Sequence, residues 1–264
     1  MKCTGELGAR KCEMPEINEI LSVVADPRMG LAALAAFLSF IVQGYSGFGG
    51  GIIVVPILAF IFGPVEAVAI NVIPSFLANI LLVPSLVKDT NWRELRPLLV
   101  GVLFTIPIGL FFLVSVEPAI VRKGMGVFII LIALLLLSGW RYTGKREGWV
   151  GVGVGALGGA IIGGFGIPSG PIMVAYIMSS KDAPNVHRAT IAVLVVLTIT
   201  ILLFALIAGG IFTPREVVAG FLLIPLYVGG AWLGKKIFEL APASWFKKIT
   251  FSLIFLTGVS TLLL

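Results

Sequence analysis

The sequence predicts an all-α polytopic membrane protein built from two pseudo-symmetric, inverted repeats, and three observations lead to this fold class. First, 58% of the 264 residues are hydrophobic and only 12% are charged, whereas soluble domains carry about 25% charged residues. Second, apolar runs long enough to cross a bilayer recur along the chain. Third, a glycine-rich interruption breaks an apolar segment twice, about half a chain apart. Paired broken segments of this kind are typical of secondary transporters.

Residues 1–28 are predicted to form a polar N-terminal lead-in. Their charges are mixed, their only apolar run is short, and no cleavage site follows it, so we expect no signal peptide. The chain's two cysteines, Cys3 and Cys12, lie here. They could pair in an oxidising compartment or remain free thiols. Because there is no CxxC pair or Cys/His cluster, we expect no metal site.

The first apolar segment, residues 29–62, contains no charged residue. As one helix it would be about 50 Å long, which exceeds a hydrocarbon core of about 30 Å. Three consecutive glycines within residues 44–51 disfavour a continuous helix, since each costs about 1 kcal/mol relative to alanine. Broken there, the segment gives pieces of about 15 and 12 residues, each too short to span alone. Together they predict a re-entrant hairpin, and a single kinked, tilted crossing is the alternative.

The remaining segments complete two membrane repeats, residues 29–147 and 148–264. The first continues with predicted spans at about residues 67–87, 97–116 and 120–140. The second begins with an apolar segment, residues 149–178, that is broken at residues 163–171, and it continues with spans at about residues 189–209, 217–234 and 245–264. Matching motifs at the span starts, such as Arg93-Glu94 and Arg215-Glu216, support a duplication.

Loop charges favour the hairpin alternative. If each broken segment crosses the membrane, the loop Lys and Arg residues divide seven to eight between the two sides. If both segments are re-entrant, they divide twelve to three, as the positive-inside rule requires. Three crossings per half would invert the halves, so the two breaks would enter from opposite faces and meet near the midplane. The loop placement also argues against nucleic-acid binding as the reason for the net charge of +6.

The core of every predicted span lacks ionisable residues, which are the usual marks of proton relays and cation sites. What the breaks offer instead is backbone N–H groups and half-helix N-termini, which suit a small oxyanion. Close helix packing is the alternative for glycine runs, and it explains the spacing of four in Gly151, Gly155, Gly159 and Gly163. The candidate substrate-binding residues are Ser46, Gly47, Gly49, Gly50, Gly51, Asn71, Gly166, Ser169, Gly170, Tyr176 and Arg188.

Two candidates near span ends have other interpretations. Arg188 could draw in an anion, or it could anchor the following span by the positive-inside rule. His187 is the only histidine, and it could act as a proton-sensitive gate or be an ordinary interfacial residue.

Two motifs carry a family resemblance: Gly47-Phe48-Gly49-Gly50-Gly51 leading to Pro56, and Ser169-Gly170-Pro171 followed by Tyr176. They resemble the paired signatures of the sulfite exporter TauE/SafE family, over about residues 30–264. The resemblance implies a permease of seven or eight spans from a duplicated unit that moves sulfite, organosulfonates or related anions. The chain departs from the family pattern at Asn71 and Ile172, where Gly-Thr-Ser and Gly-Pro-Pro are common.

We therefore predict a secondary transporter, an exporter of small sulfur-containing oxyanions in the plasma membrane. Its partners would be the anionic substrate, the lipid bilayer and a coupling ion, H⁺ or Na⁺; we expect no cofactor, metal or nucleic acid. An anion channel would use the same backbone-lined site. An integral membrane enzyme would need catalytic His, Asp or Glu groups facing a cavity, and a scaffold without transport is the last alternative.

Overall fold

The computed structural model describes residues 23, 25–46, 50–80, 86–138, 142–144, 146–168, 170–240 and 255–262. All regular structure in these residues is helical, so the predicted all-α fold class is confirmed. A single 3₁₀ turn lies at Val87–Asp89, and residues 255–262 form a further helical segment. The α-helices, labelled in chain order, are α1 (Pro27–Ser46), α2 (Gly50–Ile61), α3 (Pro64–Ile80), α4 (Trp92–Ser115), α5 (Pro118–Ser138), α6 (Gly148–Phe165), α7 (Gly170–Met178), α8 (Pro184–Ala208) and α9 (Pro214–Leu240).

Six of the described helices are long and apolar enough to cross a membrane, namely α1, α4, α5, α6, α8 and α9. An α-helix rises about 1.5 Å per residue, so about 20 residues cover the hydrocarbon core. Many of their large side chains face outward, and Phe111 on α4 is 72% exposed. Such a surface suits lipid rather than water. The protein is therefore a multi-pass membrane protein.

The first broken segment differs from the prediction in one respect. Its interruption falls where expected, between the end of α1 at Ser46 and the start of α2 at Gly50. The expectation that neither piece spans alone was wrong, because α1 has 20 residues and is long enough to cross. The helix starts at Pro27 and continues through Gly44. A side chain at Gly44 would overlap the backbone carbonyl of Ala231, so close packing offsets the poor helix propensity of this glycine.

Helices α4 and α6 pack through their backbones. A methyl group at Gly155 would overlap the carbonyl oxygen of Leu98, and one at Gly163 would overlap that of Ile106. From the α4 side, a methyl group at Gly109 would lie 2.6 Å from the amide nitrogen of Gly164. The residue numbers of the contacting positions increase together along both helices, so the two helices run parallel. The spacing of four in the α6 glycines predicted such packing, and the structure confirms it.

Helices α1 and α9 form a second parallel pair. Asp26, just before α1, makes a 2.6 Å ion pair with Arg215 in the first turn of α9. Further along, the rings of Phe40 and Tyr227 lie with centroids 3.7 Å apart. A methyl group at Gly230 would lie 2.6 Å from the carbonyl oxygen of Phe37. Small residues therefore bring both long pairs to backbone contact.

The two broken segments fold as helical hairpins. Arg146, just before α6, hydrogen-bonds to Tyr176 and Ser179 at the end of α7. Likewise Met29 at the start of α1 and Phe62 just after α2 line one cavity. Each hairpin therefore begins and ends at the same end of the bundle.

The hairpins open toward opposite ends of the bundle. The start of α8 lies at the α6–α7 end, because the Thr190 hydroxyl accepts a hydrogen bond from the Asn91 N–H at the start of α4. The end of α8 leads to α9, which starts beside Asp26 at the α1–α2 end. The 25 residues of α8 separate these ends by about 37 Å.

The close approach of α4 and α6 generates a matched test. Gly155→Ala adds a methyl group against the α4 backbone, which can move aside only at a cost of about 1–3 kcal/mol. Gly153→Ala, on the same helix, meets no atom within 4 Å, and its better helix propensity is worth up to about 1 kcal/mol. Thermal unfolding in detergent should show a lower Tm for Gly155→Ala and an equal or higher Tm for Gly153→Ala. Equal melting of both variants would contradict the packing described.

Candidate functional site

The two breaks meet inside the protein. A methyl group at Gly51, in the first turn of α2, would lie 2.6 Å from Cγ of Pro168 in the second break. Helix α7 begins two residues beyond Pro168, at Gly170. The N-terminal ends of two half-helices therefore lie close together. The first turn of an α-helix has N–H groups without intrahelical partners and carries a partial positive charge.

The second break depends on one left-handed residue. Gly166 ends α6 with φ +64° and donates its N–H to the carbonyl of Ile162. A side chain there would overlap Cγ2 of Val68 on α3. The glycine thus supplies both a backbone conformation that L-residues rarely adopt and the space that brings α3 against the break.

The walls around this meeting point are apolar. Val54, Val55 and Ile167 are fully buried and Val68 nearly so. Electrostatic interactions are much stronger in such a low-dielectric setting than in water, and burying an unpaired charge there costs correspondingly more free energy. The polar groups near the breaks include the backbone and the side chain of Gln43, whose Oε1 would lie 2.5 Å from a methyl group at Gly50.

The structure brings together some of the predicted site residues and separates others. Gly50, Gly51, Gly166 and Gly170 surround the meeting point, and Ser46 is the last residue of α1. Gly47, Gly49 and Ser169 lie outside the described residues. The other three, Asn71, Tyr176 and Arg188, have surroundings of their own.

Asn71 ties α3 to α9. The residue is 9% exposed, and its Oδ1 accepts a 2.8 Å hydrogen bond from the hydroxyl of Tyr227, which is fully buried. The Ser75 hydroxyl donates a longer bond of 3.4 Å to the same oxygen. The carbonyl of Asn71 is therefore already used in holding two helices together.

Tyr176 and Arg188 lie toward the end where the α6–α7 hairpin opens. Tyr176 is about 9 Å along α7 from Gly170, and its ring lies 4.3 Å beneath the guanidinium of Arg146. Arg188 is exposed in the early turns of α8. His187 beside it lies 2.7 Å from the hydroxyl of Ser180 through Nε2.

At the opposite end, a cavity of about 120 Å³ opens between α1, α3 and α9. Arg215 lines it, paired with Asp26 and 5.9 Å above the ring of Phe62. Glu216 accepts the N–H of Thr213 at 2.7 Å and also its hydroxyl. The remaining lining residues are Arg28, Met29, Glu66, Ile70 and Ala219. The residues that line this cavity were not among the predicted site residues, because they are far apart in the sequence.

Thr198 in α8 was also missed. It is 4% exposed, and within the described part of the chain its hydroxyl is the one buried side-chain polar atom without a hydrogen-bond partner. Thr200 shows the usual arrangement, in which a helical threonine donates to the carbonyl four residues earlier. A threonine inside an apolar run was the only sequence signal available.

Comparison with known proteins identifies a family. The family model described as "Sulfite exporter TauE/SafE" matches residues 32–261, which is nearly the whole chain. No curated protein and no solved structure matches it.

The contact at Gly166 can be separated from its backbone conformation. Gly166→Ala would incur about 1–2 kcal/mol for a left-handed L-residue and a further penalty for displacing Val68. Gly210→Ala has the same conformational cost, since its φ is +62°, but nothing lies within 4 Å. The fall in Tm should therefore be larger for Gly166→Ala, and Val68→Ala in the same chain should partly restore it. Equal losses at the two glycines would show that α3 does not pack on the break.

The bond between Asn71 and Tyr227 predicts a double-mutant cycle. Tyr227→Phe leaves the buried amide oxygen of Asn71 with one long hydrogen bond and should lower the free energy of unfolding by about 1–3 kcal/mol. Asn71→Leu combined with Tyr227→Phe removes both partners and should cost less than the sum of the single changes. Denaturant or thermal unfolding measures the coupling. Strict additivity would mean that the hydrogen bond contributes nothing.

Proposed function

The chain belongs to the sulfite exporter TauE/SafE family, and on this premise we propose that it is a secondary transporter that exports small sulfur-containing oxyanions, such as sulfite or organosulfonates. Membrane transport of sulfur anions follows from the family and agrees with the six long apolar helices. The exporter direction and the place where the anion binds are the parts that we add.

We place the anion between the two breaks, where the N-terminal ends of α2 and α7 converge. This convergence, marked by the contact of Gly51 with Pro168, is the observation that carries the proposal. Helix N-termini bind anions through free N–H groups and the helix dipole. The apolar walls strengthen these interactions, and the N–H groups with the two helix dipoles take the place of a buried cation.

The transport mechanism would follow from an inverted duplication of residues 29–147 and 148–264. Under this correspondence α1 is equivalent to α6, and α9 is equivalent to α4. The pseudo-symmetry therefore relates the parallel pair α1–α9 to the parallel pair α4–α6. Hairpins that open toward opposite ends, and loop charges divided twelve to three, support the same symmetry. Rocking of one half against the other would then expose the site to each face in turn.

A coupling ion has a place in this arrangement. Helices α1 and α6 end at the breaks, so their last carbonyl groups could coordinate Na⁺ beside the anion. Alternatively, a proton could travel on the substrate itself.

Flux through proteoliposomes tests the proposal and separates a carrier from a channel. A carrier should move sulfite with a saturable rate and should exchange internal for external sulfite. A channel with the same backbone-lined site would give a conductance that does not saturate. Absence of flux for sulfite, thiosulfate, taurine and sulfoacetate alike would contradict transport of sulfur anions.

Substitution at the breaks tests the binding site. Gly50→Val crowds Gln43, whose Oε1 would lie 2.5 Å from the new Cβ, and covers the N-terminal N–H groups of α2. We expect Gly50→Val and Ser169→Val to abolish sulfite flux while the protein still inserts, because the site has few other polar groups. Gly153→Val is the matched control, since position 153 has open space around it, and it should transport normally. Unchanged sulfite flux in both break variants would contradict the proposed binding site.

A further inference from the structure

Arg146 joins three separate elements at the end where the α6–α7 hairpin opens. Its Nε and Nη2 donate to the two carboxylate oxygens of Glu94 in the first turn of α4, at 3.0 and 2.9 Å. Its Nη1 donates to the carbonyl of Tyr176 at 2.9 Å and to the hydroxyl of Ser179 at 2.7 Å. One side chain therefore ties the start of α6 and the end of α7 to α4.

This cluster is well sheltered for an ion pair at the edge of a membrane protein. Both partners have side chains that are 20% exposed, and the guanidinium also covers the Tyr176 ring. Burial lowers the pKa of Arg146, but the hydrogen bond to Glu94 and the charges of Glu94 and its neighbours together raise it by more, so the net shift of the pKa is upward. The guanidinium thus stays charged, and the two-oxygen geometry is one that arginine matches and lysine does not.

A second set of hydrogen bonds connects the same region to α8. Asn91 accepts the N–H groups of Arg93 and Glu94 and so caps α4, while its Nδ2 donates to Asp182 at 2.8 Å. The Ser180 hydroxyl donates to the same carboxylate at 2.9 Å. The end of α7, the start of α8 and the start of α4 are therefore held as one unit.

The opposite end of the bundle is held less firmly. There Arg215 makes a single charged hydrogen bond to Asp26, and its side chain is 56% exposed. The cavity of about 120 Å³ lies beside it. The two ends thus differ: Arg146 makes four hydrogen bonds to α4 and the end of α7, whereas Arg215 makes one to Asp26 and lies beside a cavity.

We propose that Arg146 is the latch of a gate, and that each transport cycle requires its bonds to Glu94 and to the end of α7 to break. Release of these bonds, followed by that of the Asn91–Asp182 bond that joins the same elements, would let α7 move away from α4 and would open the path from the breaks to the face that carries Arg93, Arg96 and Arg188. The inference rests on the proposed function, because it assigns the gate of the same site. Arg146 is accordingly a positioning residue and does not touch the substrate.

Reversible cross-linking tests the latch. Cys3 and Cys12 are replaced by serine, Glu94→Cys and Arg146→Cys are introduced, and a short thiol-to-thiol reagent with a cleavable disulfide joins the new thiols. Sulfite flux in proteoliposomes should fall to the level of protein-free vesicles after cross-linking and return after reduction. A purely structural role would leave flux unchanged by the link, and that result would overturn the proposal.

Two further pairs make the result specific. Arg93→Cys with Arg96→Cys places both thiols on α4, where a link restrains no movement between helices, and flux should persist. Glu94→Cys with Ser179→Cys keeps Arg146 and joins α4 directly to the end of α7, so it serves if the first pair does not fold. Should the unlinked variants and the native chain all fail to move sulfite, the proposed function would fail instead. Continued flux through linked Glu94→Cys/Ser179→Cys would refute the gate alone.

Discussion

Backbone hydrogen bonding in a bilayer is the constraint on which the rest of this structure depends. Hydrocarbon offers no partners for free N–H and C=O groups, so an interrupted helix survives at membrane depth only where protein covers it. Here Val68 on α3 packs against the second break, and two parallel helix pairs, α1–α9 and α4–α6, hold the long arms that lead to the breaks. Their backbones approach closely because glycines such as Gly155 and Gly44 replace side chains at the contacts. Each pair therefore fixes the longer arm of one hairpin and leaves the shorter arm, α2 or α7, to define the site.

The same constraint explains why the proposed site can manage without charged side chains. A lysine or arginine at the breaks would be costly in apolar surroundings when no substrate is bound. Peptide N–H groups at half-helix N-termini are neutral and fixed in place, and the proposed site uses those of α2 and α7, which begin at Gly50 and Gly170. Charged residues concentrate instead at the ends of the bundle, where Arg146 and Arg215 pair with carboxylates.

Much of this organisation could be predicted from local sequence. The spacing of the glycines in α6 predicted its close packing against another helix, and the glycine runs located both interruptions. Both signals lie within a single apolar segment and can therefore be read from local sequence. The predicted length of α1 was wrong, because Gly44 was interpreted as a helix breaker. In the structure the helix continues through Gly44, which packs closely against Ala231. Contacts between distant residues, such as Asn71 with Tyr227 or Arg146 with Glu94, leave no pattern in a single sequence. For the same reason Asn71 could be proposed as a ligand although its carbonyl binds another helix.

In the proposed mechanism, backbone N–H groups at the two breaks hold the anion. Selective labelling with ¹⁵N-glycine in lipid nanodiscs, followed by sulfite titration, measures this at the atoms concerned. If these groups bind the anion, the amide signals of Gly50, Gly51 and Gly170 should shift saturably, with no change at Gly153 or Gly210. Unmoved resonances of those three glycines, at sulfite concentrations that saturate transport, would contradict it.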